Sequence, residues 1–220
     1  MNKYFITLGI TAFIAITAVA QPQEHFKGNG NITKETRNVS GFDKIALAGS
    51  IDLTIDQNGK EELEVETDQN LQNLIITEVK DGTLNIHVKN GVSVSYNKMN
   101  VHVSCKQIKM ISSGGSGNVS SVSKINSGDL SISSGGSGNY KLELNVADLK
   151  ISSGGSGNFT LKGNAEEVNY TGAGSGNVNA RDLNVSETCN ISIAGSGDVK
   201  LKKGTKAKVS SVGSGDVSYE

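Results

Sequence analysis

The side chains that could do chemistry in this chain are few, and most sit inside one recurring phrase. SGGSGNV at 113–119 returns as SGGSGNY at 134–140 and as SGGSGNF at 153–159. A glycine-rich loop can cradle phosphate where it joins a strand to a helix N-terminus. The same phrase resembles half of the G-G-x-G-x-D turn that binds calcium in β-rolls. Neither chemistry fits the surroundings. Asn158-Phe159-Thr160-Leu161 runs straight on from its loop without helical periodicity, so no helix start is available for a phosphate. The calcium design returns about every nine residues, whereas here neutral Asn fills the Asp place in four of six clear copies. Asp198 and Asp216, in adjacent copies, are the one calcium candidate, and a weak one. The expectation is no metal and no cofactor.

The remaining reactive residues are read by position. Cys189 falls in the same column as Leu130, Leu149 and Val168, and Cys105 continues the alternation of Val101 and Val103. Both are predicted to be buried free thiols, about four coils or ~19 Å apart at the strand spacing, beyond disulfide reach. His87 and His102 are flanked by apolar neighbours and should face outward, and His25 lies near the mature terminus. None belongs to a ligand cluster. Glu61, Glu62, Glu64 and Glu66 surround Leu63 and Val65, as expected for the solvated face of a strand. No Ser/His/Asp or Cys/His set emerges from the spacing.

The elements that carry these residues follow from counting. Taking the Gly before the constant Ser as anchor, copies start at Gly115, Gly136, Gly155, Gly174, Gly195 and Gly213, at intervals of 21, 19, 19, 21 and 18 residues. Self-similarity near twenty residues signals a solenoid, in which no coil can bury its apolar face alone. GNGNI at 28–32 and AGSIDL at 48–53 read as weaker copies. Four residues before each anchor stand Ile111, Ile132, Ile151, Tyr170, Ile191 and Val209; four after stand Val119, Tyr140, Phe159, Val178, Val199 and Val217. Two before the first of these columns stand Lys109, Leu130, Leu149, Val168, Cys189 and Ala207. Apolar columns at even spacing are inward strand positions. The predicted fold is therefore all-β, a right-handed parallel β-helix with coils of about 20 residues. The phrase is its corner, where glycine supplies positive φ and close backbone stacking.

Within that corner, Ser116, Ser137, Ser156, Ser175, Ser196 and Ser214 form one outward ladder. Asn118, Asn139, Asn158, Asn177, Asp198 and Asp216 form another, suited to closing turn backbone groups or to facing a ligand. Between Gly49 and Gly115 the phrase is lost. Gln57-Asn58-Gly59-Lys60 and Lys80-Asp81-Gly82-Thr83 read as tight turns, so residues 57–105 are expected to hold irregular, hairpin-like strands.

Composition bounds the function. Lys3, the apolar run Ile6–Val19 and Ala18-Val19-Ala20 read as a signal peptide over 1–20, with the mature chain starting near Gln21. No Cys follows the run, so a lipoprotein is not expected, and no second apolar stretch is long enough to span a bilayer. Residues 21–36 read as an N-terminal extension carrying a weak repeat copy, and 37–220 as one solenoid domain. With 21 basic and 22 acidic residues, the chain is no dedicated nucleic-acid binder. Enzymes on β-helices need carboxylate pairs, or calcium with a cationic base, and commonly aromatic sugar platforms. Here the arginines are Arg37 and Arg181 alone, and the aromatics of the repeats fall in core columns.

GFDKIALAGSIDLTIDQ, DGTLNIHV and the series of GSGNV and GSGDV corners together resemble the head GIN domain family, from about residue 37 to 220. The resemblance implies an exported, β-helix-like envelope protein of a Bacteroidetes-type bacterium, described as an autotransporter adhesin, with no catalytic residues to carry over. Val217-Ser218-Tyr219-Glu220 follows the last corner without room for a membrane barrel, so transport by this chain itself is not expected. The expected function is a non-catalytic adhesin or scaffold, periplasmic, surface-borne or secreted, whose partner is an envelope protein or glycan. The alternative is an enzyme acting on envelope or extracellular polysaccharide. A bare solenoid end also leads us to expect end-to-end self-association.

Overall fold

The computed structural model describes residues 24–220; the signal-peptide reading of 1–20 and the cleavage near Gln21 lie outside the described residues. The chain enters through β1 (Glu24–Lys27) and β2 (Ile32–Arg37), then forms the first corner between β3 (Lys44–Ala48) and β4 (Asp52–Asp56). An irregular stretch follows: β5 (Glu62–Asp68), a 3-10 turn over Gln69–Leu74, β6 (Ile75–Lys80), β7 (Thr83–Val88), β8 (Val92–Ser95) and β9 (Met99–Ser104). The regular array then runs through β10 (Met110–Gly114), β11 (Val119–Ser121), β12 (Ile125–Ser134), β13 (Tyr140–Ser153), β14 (Phe159–Gly172) and β15 (Val178–Gly195). It ends in β16 (Val199–Leu201), β17 (Ala207–Gly213) and β18 (Val217–Tyr219).

The array is a solenoid of parallel coils. Ile45, Ile111, Ile132, Ile151, Tyr170, Ile191 and Val209 pair in register as one ladder before the corner. Leu53, Val119, Tyr140, Phe159, Val178, Val199 and Val217 form the ladder after it. From Ile45 to Ile191 the first ladder is buried, while Val209 in the last coil is 45% exposed. Tyr140 and Phe159 stack with ring centroids 4.5 Å apart, and Tyr170 meets Phe159 edge-on. Tyr170 is accommodated because Gly172 lacks a side chain: a Cβ there would lie 2.4 Å from the phenol oxygen. Lys109 departs from its apolar column. Its ammonium pairs with Asp43 at 2.7 Å, and the neighbouring Ile108 is buried instead.

The 57–105 region contains hairpin-like strands as expected, but it also adds a coil out of chain order. β7 pairs in parallel with β3 and β9 with β4, so Thr83–Ser104 stacks on the opposite side of the β3–β4 corner from β10 and β11. Antiparallel strands close that end: β6 on β7, and β2 on β5 on β9. Asp81-Gly82 makes a two-residue hairpin turn with both residues at positive φ. The Gln57–Lys60 turn does not join neighbours, because β9 lies between β4 and β5. The two weak corner copies also part ways. AGSIDL stacks beneath the corner at Gly115, whereas GNGNI leads from β1, parallel to β8, into β2, antiparallel to β5, and so forms no coil.

Candidate functional site

The corner's glycines are explained by what lies beneath them. A Cβ on Gly136 would stand 1.8 Å from the Gly115 carbonyl oxygen, and one on Gly138 would stand 1.9 Å from that of Gly117. The same collision recurs upward through Gly215, at distances of 1.9 to 2.3 Å. Backbone approach is thus the main reason for glycine. Positive φ contributes only at Gly49, Gly195 and Gly213 of the corner anchors. The lowest copy tolerates Ile51 because the connection beneath, residues 89–98, is longer and follows another path; the Ile51 side chain is fully buried.

The Asn column closes the corner from outside. The Asp52 carboxylate accepts hydrogen bonds from the Asn118 backbone N–H at 2.8 Å and its side-chain amide at 3.0 Å. Asn118 Oδ1 then serves Asn139, and Asn139 Oδ1 serves Asn158, each through the same two donors. The backbone part continues through Asn177, Asp198 and Asp216. The column is therefore a structural ladder that begins at Asp52, one coil before the clear repeats. Asp198 Oδ1 accepts the Asp216 N–H at 3.0 Å, and among the described residues no group of three or more His, Cys, Asp or Glu gathers around a common point. Asp198 and Asp216 are thus joined to each other by the ladder bond, with no third carboxylate gathered beside them among the described residues. In the Ser column the backbone N–H groups of Ser116, Ser137, Ser156, Ser196 and Ser214 donate to the anchor glycine one coil below. All six hydroxyl-bearing residues, Ser175 included, are exposed.

Outside the corner, Cys105 and Cys189 are buried free thiols, as expected from their columns. Burial pushes both thiols up to about 11; at Cys105 the nearby Asp56 and Glu61 carboxylates add to it. On β5, Leu63 and Val65 are buried while the glutamates point out. Glu64 pairs with Lys34 at 2.7 Å, Glu66 with Lys98 at 2.8 Å and Glu61 with Lys106 at 2.8 Å. Glu62 and Glu64 line a concavity of about 350 Å³ with His102, Lys34 and Ser104. Being alternate residues of one strand, they stand side by side. A glycosidase needs its two carboxyl groups on either side of the scissile bond.

The feature that sequence reasoning missed lies where the cap meets the stack. Asp52, Thr54, Asn100, Asn118 and Ser120 line a concavity of about 390 Å³ together with Tyr96, Asn97 and Lys98. Tyr96 is 38% exposed, and its hydroxyl donates to the Ser50 carbonyl at 2.6 Å, which fixes the ring. Burial, followed by the Asp52 carboxylate, pushes its phenol above the ordinary value. Higher on the same Asn-bearing face, Asn158, Thr160, Asn177, Asn179, Arg181, Asp198 and Lys200 line a second concavity of about 230 Å³. The aromatic signal was a lone Tyr between Ser95 and Asn97, with no repeat column to place it.

These features define a β-solenoid whose outer face is built from side-chain ladders. The family model described as "Putative auto-transporter adhesin, head GIN domain" matches residues 41–220, and the chain belongs to that family. Its fold is similar to that of a crystal structure from Bacteroides fragilis named a "putative adhesin", with a TM-score of 0.77 and 24% identity over 88% of this chain and 99% of the other. A Parabacteroides distasonis structure named "Putative lipid binding protein" is similar at TM-score 0.67 and 25% identity, over 90% of this chain and 100% of that one. A "putative adhesin" from the same species is similar at TM-score 0.62, again at 25% identity and over the same shares. No curated protein matches the chain.

Proposed function

We propose that this chain is an exported, non-catalytic binding module of the cell envelope, acting through the repetitive outer face of a rigid solenoid. The observation that carries this reading is the pair of concavities on one face, both lined by columns that repeat coil after coil. The naming of similar structures as adhesins supports it. Export rests on the leader-like residues 1–20, and no helix among the described residues is long and apolar enough to cross a membrane. One similar structure carries the name lipid-binding, but the apolar interior nearest the last coils does not support that reading here. The interior between Tyr170, Leu183 and Cys189 leaves only about 20 Å³, too little for an acyl chain.

The test is a binding screen of the mature chain against polysaccharides and envelope proteins of Bacteroides-type bacteria, with product analysis on every polysaccharide. Saturable binding without turnover is the expected result; depolymerisation would replace the reading with the enzymatic one. A second copy is a further proposed partner. In the last coil Val209 is 45%, Val212 73% and Tyr219 46% exposed, an apolar end suited to self-association. Sedimentation should show mass rising with concentration, and a monomer throughout would remove this part.

A further inference from the structure

Resting on the binding-module reading, we infer that the Tyr96 concavity is a subsite for a neutral carbohydrate. Three observations converge there. First, among the described residues Tyr96 and Tyr219 are the exposed large aromatics, and Tyr96 alone lines a cavity. Its ring is held by the bond from its hydroxyl to Ser50, so a ligand that stacks on it orders nothing new. A pre-positioned aromatic beside a few placed polar groups is the ordinary make-up of a small-molecule site. Its volume, about 390 Å³, lies within the range such sites occupy.

Second, the polar groups around the ring have hydrogen-bonding capacity left over. Asn118 commits its amide to Asp52 and its carbonyl to Asn139, which uses Asp52 Oδ1 and leaves Oδ2 as an acceptor. Asn100 accepts from Thr54 through Oδ1 at 3.3 Å, which leaves its amide to donate. Asn97 gives its N–H and its amide to Asp68, which leaves Oδ1 as an acceptor. Ser120 contributes a hydroxyl that can do either. Donors and acceptors interspersed around an apolar ring match a polyhydroxylated ligand with one apolar face.

Third, the alternatives are disfavoured by what is already used. β9 is paired on both sides by β4 and β5, β4 by β9 and β11, and β11 by β4 and β13. An extended peptide would therefore find no unpaired backbone to augment there. Lys98 is already paired with Glu66 at 2.8 Å and the Asp52 carboxylate acts on the Tyr96 phenol, so an anionic ligand is disfavoured.

The experiment titrates the folded mature chain with short neutral glucan, galactan and mannan fragments, and with oligogalacturonate and an unstructured peptide as the charged and peptidic arms. Binding is read by chemical-shift changes and calorimetry. At least one neutral fragment should bind, and Tyr96→Ala should weaken it by about tenfold or more. Tyr96→Phe, which keeps the ring, should weaken it by about threefold at most. Ser120→Trp fills the concavity while leaving residue 96 unchanged, and should abolish binding. Neutral-fragment binding that survives both Tyr96→Ala and Ser120→Trp overturns the subsite while leaving the binding-module reading intact. So does binding confined to the oligogalacturonate or the peptide. Failure of every probe here, alongside a positive screen against envelope proteins, also removes the carbohydrate inference alone.

Discussion

In the β3–β4 corner and from Met110 to Tyr219 each coil is held by its own copy one turn away, whereas the rest of Glu24–Lys109 is held largely by side chains that occur once. In the stack, Gly136 lies against Gly115 and Asn139 serves Asn158, so one local solution is repeated. In the cap, the fully buried Asp68 gathers the Gly30 N–H at 2.7 Å, the Asn97 N–H at 2.8 Å and the Asn97 amide at 2.8 Å. Arg37 likewise ties β2 to the carbonyl of Gln72 at 2.7 Å and to Thr77. The difference teaches where each region can fail. A stack of equivalent coils has no unique point but cannot tolerate a change in spacing. A cap built from single hubs tolerates small shifts but not loss of a hub.

The largest expected effect tests the spacing. Gly136→Ala puts a Cβ against a backbone carbonyl that no rotamer change can move away. It should cost about 4 kcal/mol or prevent folding. Gly135→Ala, one residue earlier and with nothing within 4 Å, should change stability by no more than about 0.5 kcal/mol. Urea unfolding of both variants separates the two, and equal costs would refute close stacking as the reason for the phrase.

Next in size is the cap hub. Burial opposes ionisation of Asp68, but the Asn97 N–H and amide, with the Gly30 and Lys98 N–H groups, hold its carboxyl below the ordinary value. Asp68→Ala leaves buried donors unpaired and should cost about 3 kcal/mol. Hydrogen exchange should rise first around Gly30 and Asn97 while the coils beyond Met110 stay protected. A carboxyl with a lowered folded pKa stabilises fully above its unfolded value and loses that contribution as pH falls through the folded one. The wild-type advantage over the variant should therefore shrink in acid, below about pH 4.

The same contrast explains what could be read from the sequence. The ladders through Ile132 and Tyr140 were legible because period and alternation are local properties. The corner's role was legible as well, and the stacked coils show that close backbone contact outweighs glycine's freedom of φ there. The cap was legible as hairpin-like strands around turns such as Asp81-Gly82, but not in how they pair. β7 and β9 join the stack out of chain order, and GNGNI keeps a corner's spelling while Ile32 pairs antiparallel with Asp68. Pairings of that kind leave no period in the sequence. Tyr96 was missed for the same reason, since its surroundings come from residues 50–54 and 118–120.

A smaller effect is expected inside the stack. The Tyr140 hydroxyl is buried without a hydrogen-bond partner, and its ring already stacks on Phe159. Tyr140→Phe keeps the stack and removes the orphaned group, and should stabilise by about 1 kcal/mol. A loss of stability in thermal unfolding would show that the hydroxyl has a partner.

The smallest effect shows the cost of repetition itself. Equivalent positions stack, so like charges stack too. Asp129, Asp148 and Glu167 pair in register on neighbouring strands, whereas Glu143 meets Lys162 at 2.8 Å in the column where signs alternate. Desolvation first, then a hydrogen bond with Asp129 and the charges of Glu167 and Asp129, push the Asp148 carboxyl above its ordinary value. The sign is opposite to that of Asp68. A carboxyl with a raised folded pKa costs stability once ionised, and the cost disappears as pH falls below its unfolded value. Asp148→Asn should therefore raise the midpoint at neutral pH, with the gain fading as pH falls through the raised folded value, gone by about pH 4, and shrinking in high salt. Measured as midpoints against pH, the two variants should diverge from wild type in opposite directions at neutral pH. Parallel curves would mean that cap and stack do not differ in how they hold charge.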